Sequence, residues 1–199
     1  IVNIGGITNI TYLNKEGEML SFDTGPGNFL IDKILQLKSK NKIQLDTDGK
    51  LAFMGTINKT ILDSYLDDPY FESMPPKSLD VNDFSLSPLR SISLEDSVAT
   101  LSELTSLTIV NSLNFLDSKP IEIILCGGGR KNKYIYERIK QLSNISTKSI
   151  DDYKINGDFT ESQAFAYLAI RSFLKKPITF PKTTGVSKPF TGGDFIKFK

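Results

Sequence analysis

Asp23 is the side chain of this 199-residue chain whose neighbours best suit it to acid–base chemistry. It closes the apolar stretch GEMLSFD (17–23) and precedes a Gly25-Pro26-Gly27 bend and Asn28. A carboxylate at a strand end, where the edge opens into a cleft, can serve as a general base. The same letters also fit an aspartate that caps a turn. Two glycine clusters could hold a ligand beside it. In NIGGITN (3–9), Gly5 and Gly6 suit a hairpin turn with positive φ whose N–H groups face an anion, and Thr8 and Asn9 add polar contacts. In CGGGRKN (126–132), Gly127, Gly128 and Gly129 join a strand to a helix, so that a phosphate or flat ligand can approach the backbone. The spacing is neither a dinucleotide fingerprint nor a P-loop, and both clusters also fit plain tight turns. Glu161 opens a helix three residues after Asp158, a capping-box pattern. Lys77 and Ser78, in PPKS, lie on a long loop where they could meet an anionic group or stand in solvent. Cys126 reads as a small buried apolar residue.

The elements that must position these groups follow from periodicity. Two strands flank Gly5-Gly6, with Val2, Ile4, Ile10, Tyr12 and Leu13 as apolar positions, and a third runs over 17–23. Asn28 is expected to cap a helix whose stripe is Leu30, Ile31, Ile34 and Leu37. Residues 40–50 are polar and turn-rich, 51–66 read as one helix, and about 67–92 as a long loop or lid. SLED (93–96) starts a long helix over 94–116. IEIILCGGG (121–129) reads as a strand buried on both faces, followed by a helix at 132–142 and a short strand in TKSID. A strongly apolar helix spans 161–176, with Phe165, Tyr167 and Phe173 expected in the core, and an irregular tail fills 177–199. The order β-β-β-α-α-α-β-α-β-α predicts an α/β fold with a mixed five-stranded sheet flanked by helices.

Composition removes several classes. Lys and Arg number 24 against 23 Asp and Glu, so neither a nucleic-acid stripe nor an acidic tail is present. There is no histidine, which excludes imidazole chemistry from this chain. A single cysteine forms no internal disulfide and fits a reducing cytoplasm. No stretch is apolar enough for a membrane span. The chain opens at Ile1, already inside a strand-like run, and is expected to be a piece of a longer protein. FDTG (22–25) is also the signature of aspartic proteases, which need two such aspartates. This chain has one, so only a dimer could supply the pair, and such chains are about half as long and almost entirely β.

Taken together, NIGGITNIT (3–11), FDTGPGNFLID (22–32), DPYF (68–71), PPKS (75–78), ATLSELT (99–105), LCGGGRKN (125–132), GDFTESQAFAYLA (157–169) and TTGVSKP (183–189) resemble the anhydro-N-acetylmuramic acid kinase family. The resemblance implies a ribonuclease H-like lobe of the sugar-kinase/Hsp70/actin superfamily, with 1–199 as a single C-terminal lobe. It implies Asp23 as the base that activates water for ring opening of 1,6-anhydro-N-acetylmuramic acid, while ATP with Mg²⁺ phosphorylates O6. It assigns the nucleotide to Gly5, Gly6, Thr8, Gly25, Gly27, Gly127, Gly128, Gly129 and Asn132, and the sugar to Asn9, Asn28, Glu161, Lys77 and Ser78. It assigns no protein metal ligand and admits a homodimer. The family's N-terminal Gly-Thr-Ser-x-Asp-Gly phosphate loop is absent from this sequence, so the chain alone is expected to be inactive, either half of a working kinase or a binding lobe without turnover. LDVN (79–82) stands where the family continues Thr-Gly-Arg/Lys-Glu, which removes a charged contact from the loop.

Overall fold

The computed structural model describes residues 1–196. Strands β1 (Val2–Ile4), β2 (Ile7–Leu13) and β3 (Met19–Pro26) form an antiparallel meander, and β4 (Glu122–Cys126) and β5 (Ser146–Ser149) extend it in parallel. The order across the sheet is β3-β2-β1-β4-β5. Register explains the two faces, because laterally paired residues share a side and neighbours along a strand alternate. Leu125, Val2, Ile10 and Phe22 form one lateral row and are all buried. The next row, Cys126, Asn3, Asn9 and Asp23, lies on the opposite face. The β4 strand is therefore half-buried in alternation, not buried on both faces, and it ends at Cys126.

Helices pack on the apolar face. In α1 (Asn28–Lys38) the buried positions are Leu30, Ile31, Ile34 and Leu35, while Leu37 is exposed. Its N-cap is Gly27, not Asn28, and no side chain caps it. Instead Gly6 O accepts from the N–H groups of Gly27 and Phe29, and Gly5 O accepts from Asn28 N–H at 2.8 Å. The Gly5-Gly6 turn thus satisfies the orphan donors of α1. It does so without positive φ at either glycine, which corrects the expectation for that turn.

The helix expected over 51–66 is two, α2 (Lys50–Met54) and α3 (Lys59–Leu66). Gly55 between them is extended, and a Cβ there would collide with the backbone of Glu95, so only glycine lets the two segments pack this closely. Helix α4 (Leu94–Ser112) is the central one, and a 3-10 turn follows it at Leu113–Phe115. Its buried hydroxyls bond back along the helix, as Thr100 to Asp96 O and Ser106 to Ser102 O. Its buried Glu103 accepts from Arg138 of α5 (Lys133–Ser143) at 2.7 and 2.8 Å.

The segment at about 67–92 is a long, mostly irregular connection. It folds into 3-10 turns at Pro69–Glu72 and Ser87–Ser91, buries Phe84 and Leu89, and stacks Phe71 on Phe84. Helix α6 (Thr160–Phe173) departs most from expectation: Phe165, Tyr167 and Phe173 are exposed, not core. The tail forms α7 (Pro181–Thr184) against β3, and Lys182 pairs with Glu18 at 2.8 Å. Among the described residues no helix is long and apolar enough to cross a membrane.

Candidate functional site

Asp23 sits inside β3, not at its end. The strand continues to Pro26, and Thr24 is an extra residue there, because Asp23 pairs with Asn9 and Gly25 with Thr8. This bulge re-aims the strand beside the site. The segment after PPKS straps Asp23 from its outer edge. Asp23 N–H donates to Lys77 O at 3.0 Å, Leu79 N–H donates to Asp23 Oδ2 at 2.9 Å, and Tyr70 Oη donates to Asp23 O at 2.7 Å. Oδ1 has no protein partner among the described residues. Burial pushes the Asp23 carboxyl above its ordinary pKa, and the Leu79 N–H pulls the other way.

Two openings flank the glycine loop and share Gly128. One, of about 480 Å³, is lined by Asn3, Gly5, Gly6, Asn9, Gly127, Gly128 and Glu161, with Arg130, Gly157, Asp158 and Thr160 at its far wall. The N–H groups of Gly5 and Gly6 have no protein acceptor among the described residues. The other, of about 420 Å³, is lined by Asn28, Asp32, Gly128, Gly129 and Asn132, with Ile31 and Leu45 as apolar wall. The three glycines of the loop serve different needs. Gly127 has φ +74°, and a Cβ there would fall on Asn3 Oδ1 and 2.7 Å from Ile4 O. A Cβ on Gly129 would fall on the Ile4 side chain. A Cβ on Gly128 would make only an ordinary contact, 3.9 Å to Asn28 Nδ2, so this is the glycine whose backbone a ligand can approach.

The structure brings Gly5, Gly6, Asn9, Gly127, Gly128 and Glu161 to one cavity and Asn9 beside Asp23. It corrects other placements. Thr8 is fully buried on the core face, with an unpartnered hydroxyl. Gly25 and Gly27 are buried and reach neither opening: a Cβ would meet Thr108 Oγ1 at 2.6 Å and Thr8 Oγ1 at 2.8 Å respectively. They are close-packing positions. Asn28 donates to Ile4 O at 3.2 Å and lines the Asp32 cavity, away from Asn9 and Glu161. Asn132 also lines that cavity while its Oδ1 caps α5 by accepting from Ile135 N–H at 3.2 Å. Lys77 turns inward. Its ammonium donates to Tyr70 O at 2.8 Å and lies 4.5 and 4.6 Å from the Tyr70 and Phe115 ring centres, so it is not offered to an anion. Ser78, between Lys77 and Leu79, remains exposed.

Three residues escaped the sequence reading. Asn3 was legible by alternation, since it shares a face with Asn9 across β1 and β2. Asp32 stands one turn after Asn28 and faces the second cavity. Arg130 had no local signal, because its partners lie far along the chain. Its buried guanidinium donates to Asp151 at 2.6 Å, Asp158 at 2.9 Å and Gly127 O at 2.9 Å. It therefore ties the glycine loop to the start of α6, and it holds the Asp151 carboxyl well below the usual carboxylate range.

The meander β3-β2-β1 continued by parallel β4 and β5, with a glycine loop after β4, is the mixed five-stranded α/β sheet expected from the sequence. The chain belongs to the anhydro-N-acetylmuramic acid kinase family, whose profile matches residues 1–197. Proteins named anhydro-N-acetylmuramic acid kinase are similar to it in Pelagibacter ubique (44% identity over 99% of this chain and 54% of that protein), Caulobacter vibrioides (42%, over 98% and 52%) and Zymomonas mobilis (40%, over 97% and 53%). The chain spans about half the length of these curated relatives. Among solved structures, the activator of the 2-hydroxyisocaproyl-CoA dehydratase from Clostridium difficile with bound ADPNP matches with a TM-score of 0.45 and 14% identity, over 74% of this chain and 52% of that one.

Proposed function

We propose that this chain is the C-terminal lobe of an ATP-dependent kinase that opens 1,6-anhydro-N-acetylmuramic acid hydrolytically and phosphorylates it, giving N-acetylmuramic acid 6-phosphate in bacterial cell-wall recycling in the cytoplasm. The observation that carries this reading is the Asp23 carboxylate. Oδ2 is fixed by Leu79 N–H, Oδ1 is free, and the side chain shares a sheet face with Asn9 and Asn3 of the glycine-lined cavity. That is a base with one working oxygen beside a pocket for a polar ligand.

In the proposed step Asp23 Oδ1 takes a proton from water as the water oxygen bonds to the anomeric carbon. The bond from that carbon to O6 breaks, O6 bonds to the γ-phosphorus of ATP, and the bond from that phosphorus to the bridging oxygen breaks to release ADP. Asn9, Glu161 and Ser78 are the residues of this chain we assign to the sugar. The unpaired N–H groups of Gly5 and Gly6 receive phosphate oxygens, and the adenosine part lies across Gly128 towards Asn28 and Asn132. Mg²⁺ bound with ATP would neutralise phosphate charge, held by the phosphates and water with no ligand assigned from this chain.

The second jaw belongs to the half of the relatives' length that this chain does not span, and we place it against α6. Phosphoryl transfer depends on positioning from both sides, so the chain alone is expected to be inactive. The test follows sugar 6-phosphate formed from ATP and 1,6-anhydro-N-acetylmuramic acid. It compares the chain, the chain completed with the N-terminal half of the Pelagibacter ubique relative, and the completed protein carrying Asp23→Asn. Activity of the completed protein alone, reduced by at least about a thousandfold in Asp23→Asn, is the expected result. A folded completed protein that binds both substrates without turnover would leave a binding lobe in place of an enzyme.

A further inference from the structure

The carboxylates around the second cavity differ in one respect. Asp46 accepts the N–H groups of Leu51 at 2.8 Å and Ala52 at 3.1 Å, and Asp48 lies 3.6 Å from the Lys133 ammonium. Asp32, half-buried on α1, has neither a hydrogen bond nor an ion pair among the described residues. Burial alone pushes its carboxyl up to about 6. A carboxylate kept partly out of water without a partner is costly, and such groups are kept where a ligand completes them.

The missing partner must be a donor, because an ionised carboxylate only accepts. Phosphate would not supply that donor, and the cavity rim is acidic at Asp32, Asp46 and Asp48; Lys131 also lines it, but its ammonium is held by Asp158 at 2.7 Å. In a nucleotide the donors are the ribose hydroxyls and the amino group of the base. Position separates them. Asn28 lies at the glycine loop, its amide nitrogen 3.1 Å from where a Gly129 Cβ would stand. Asp32 is four residues further along the same helix, about 6 Å. Gly128 is shared with the cavity that holds the unpaired N–H groups of Gly5 and Gly6. A sugar is one link from its phosphate, and the base lies one ring beyond.

We propose that Asp32 receives the ribose hydroxyls of the bound nucleotide and makes the site selective for ribonucleotides over deoxyribonucleotides. This rests on the kinase reading above. A vicinal diol offers two donors to the two oxygens of one carboxylate, the same match by which an acidic residue holds ribose in dinucleotide-binding folds.

The experiment is calorimetric titration of the completed protein, wild type and Asp32→Ala, with ADP, 2′,3′-dideoxyADP and inosine diphosphate. The wild type should prefer ADP to the dideoxy nucleotide by about tenfold or more, and that ratio should fall to near one in Asp32→Ala. The ratio is insensitive to any general effect of removing a negative charge near an anion. An unchanged ratio in the variant overturns the proposal while the kinase reading stands. A variant that instead loses discrimination between ADP and inosine diphosphate overturns it in favour of the base amine. A wild type that binds none of the three overturns the kinase reading, and the ribose assignment with it.

Discussion

Asp23 works as a base only when ionised, and its environment sets where that happens. Burial raises its pKa and the Leu79 N–H opposes the rise by bonding to the charged form. Leu79→Pro deletes that donor, so the pKa rises further. The acid limb of kcat/KM for the completed protein should move to higher pH, with the plateau at high pH largely retained. An unmoved limb would mean that Leu79 does not hold the catalytic carboxylate. Asp32 gives a second prediction, in stability. Its native pKa of about 6 lies above the ~3.9 of an unfolded aspartate. The native state holds the proton more tightly, so this group's favourable contribution is complete below about pH 4 and lost as pH rises through 6. Asp32→Asn should stabilise the chain at pH 7.5 by about 1 kcal/mol, once solvent screening of a half-exposed carboxylate is allowed for. The gain should vanish at pH 4, as read by thermal unfolding at the two values. Asp23 was legible because its chemistry is announced by adjacent letters. Lys77 was misread because its fate is set by Phe115 and Tyr70, whose rings are brought to it by the fold.

At the scale of the element, the turn after β4 is built from glycines with separate tasks, and substitution separates them. Gly127→Ala forces a side chain into left-handed backbone and onto Asn3 and Ile4, and should cost about 2–3 kcal/mol in denaturant unfolding. Gly128→Ala makes only an ordinary contact with Asn28, so stability should hold within about 0.5 kcal/mol. If its backbone is where the nucleotide lies, ADP affinity should fall at least tenfold at that unchanged stability. Equal stability losses for the two would contradict the division of roles. Strand pairing and the sheet order were readable because alternation is local: Val2, Ile4 and Ile10 announce their face. The break at Gly55 was not, since the close packing that requires glycine there is against the Glu95 backbone forty residues on. Nor was the continuation of β3 past Asp23, where Gly25 looked like a bend but admits Thr108 of α4 at close range.

For the whole molecule, the sheet, α1, α4 and α5 form a core that closes on itself, and α6 does not share in it. Phe159, Phe165, Tyr167, Ile170, Phe173 and Leu174 are each more than half exposed, on or beside this one helix. Periodicity identified a helix there but could not say what covers it, because an apolar stripe reads the same whether its partner lies in the chain or outside it. Arg130 fixes the start of α6 through Asp158, and Ser172 bonds to Gly192 O near its end, so the helix is held out from the body at both ends. A row of large apolar side chains left in water along one helix favours association unless a partner covers it. The chain alone should therefore self-associate, its mass by size-exclusion chromatography with light scattering rising with loading concentration. Joining the N-terminal half of the Pelagibacter ubique relative should abolish the rise and give one mass throughout. Replacing Phe165 and Phe173 with Ser in the isolated chain should weaken association at unchanged helical content, since both side chains are about two-thirds exposed and the Phe173 ring meets Phe195 edge-on. If the isolated chain stays monomeric at every concentration, or the completed protein associates as strongly as the isolated chain, then α6 is not the face on which the second lobe rests.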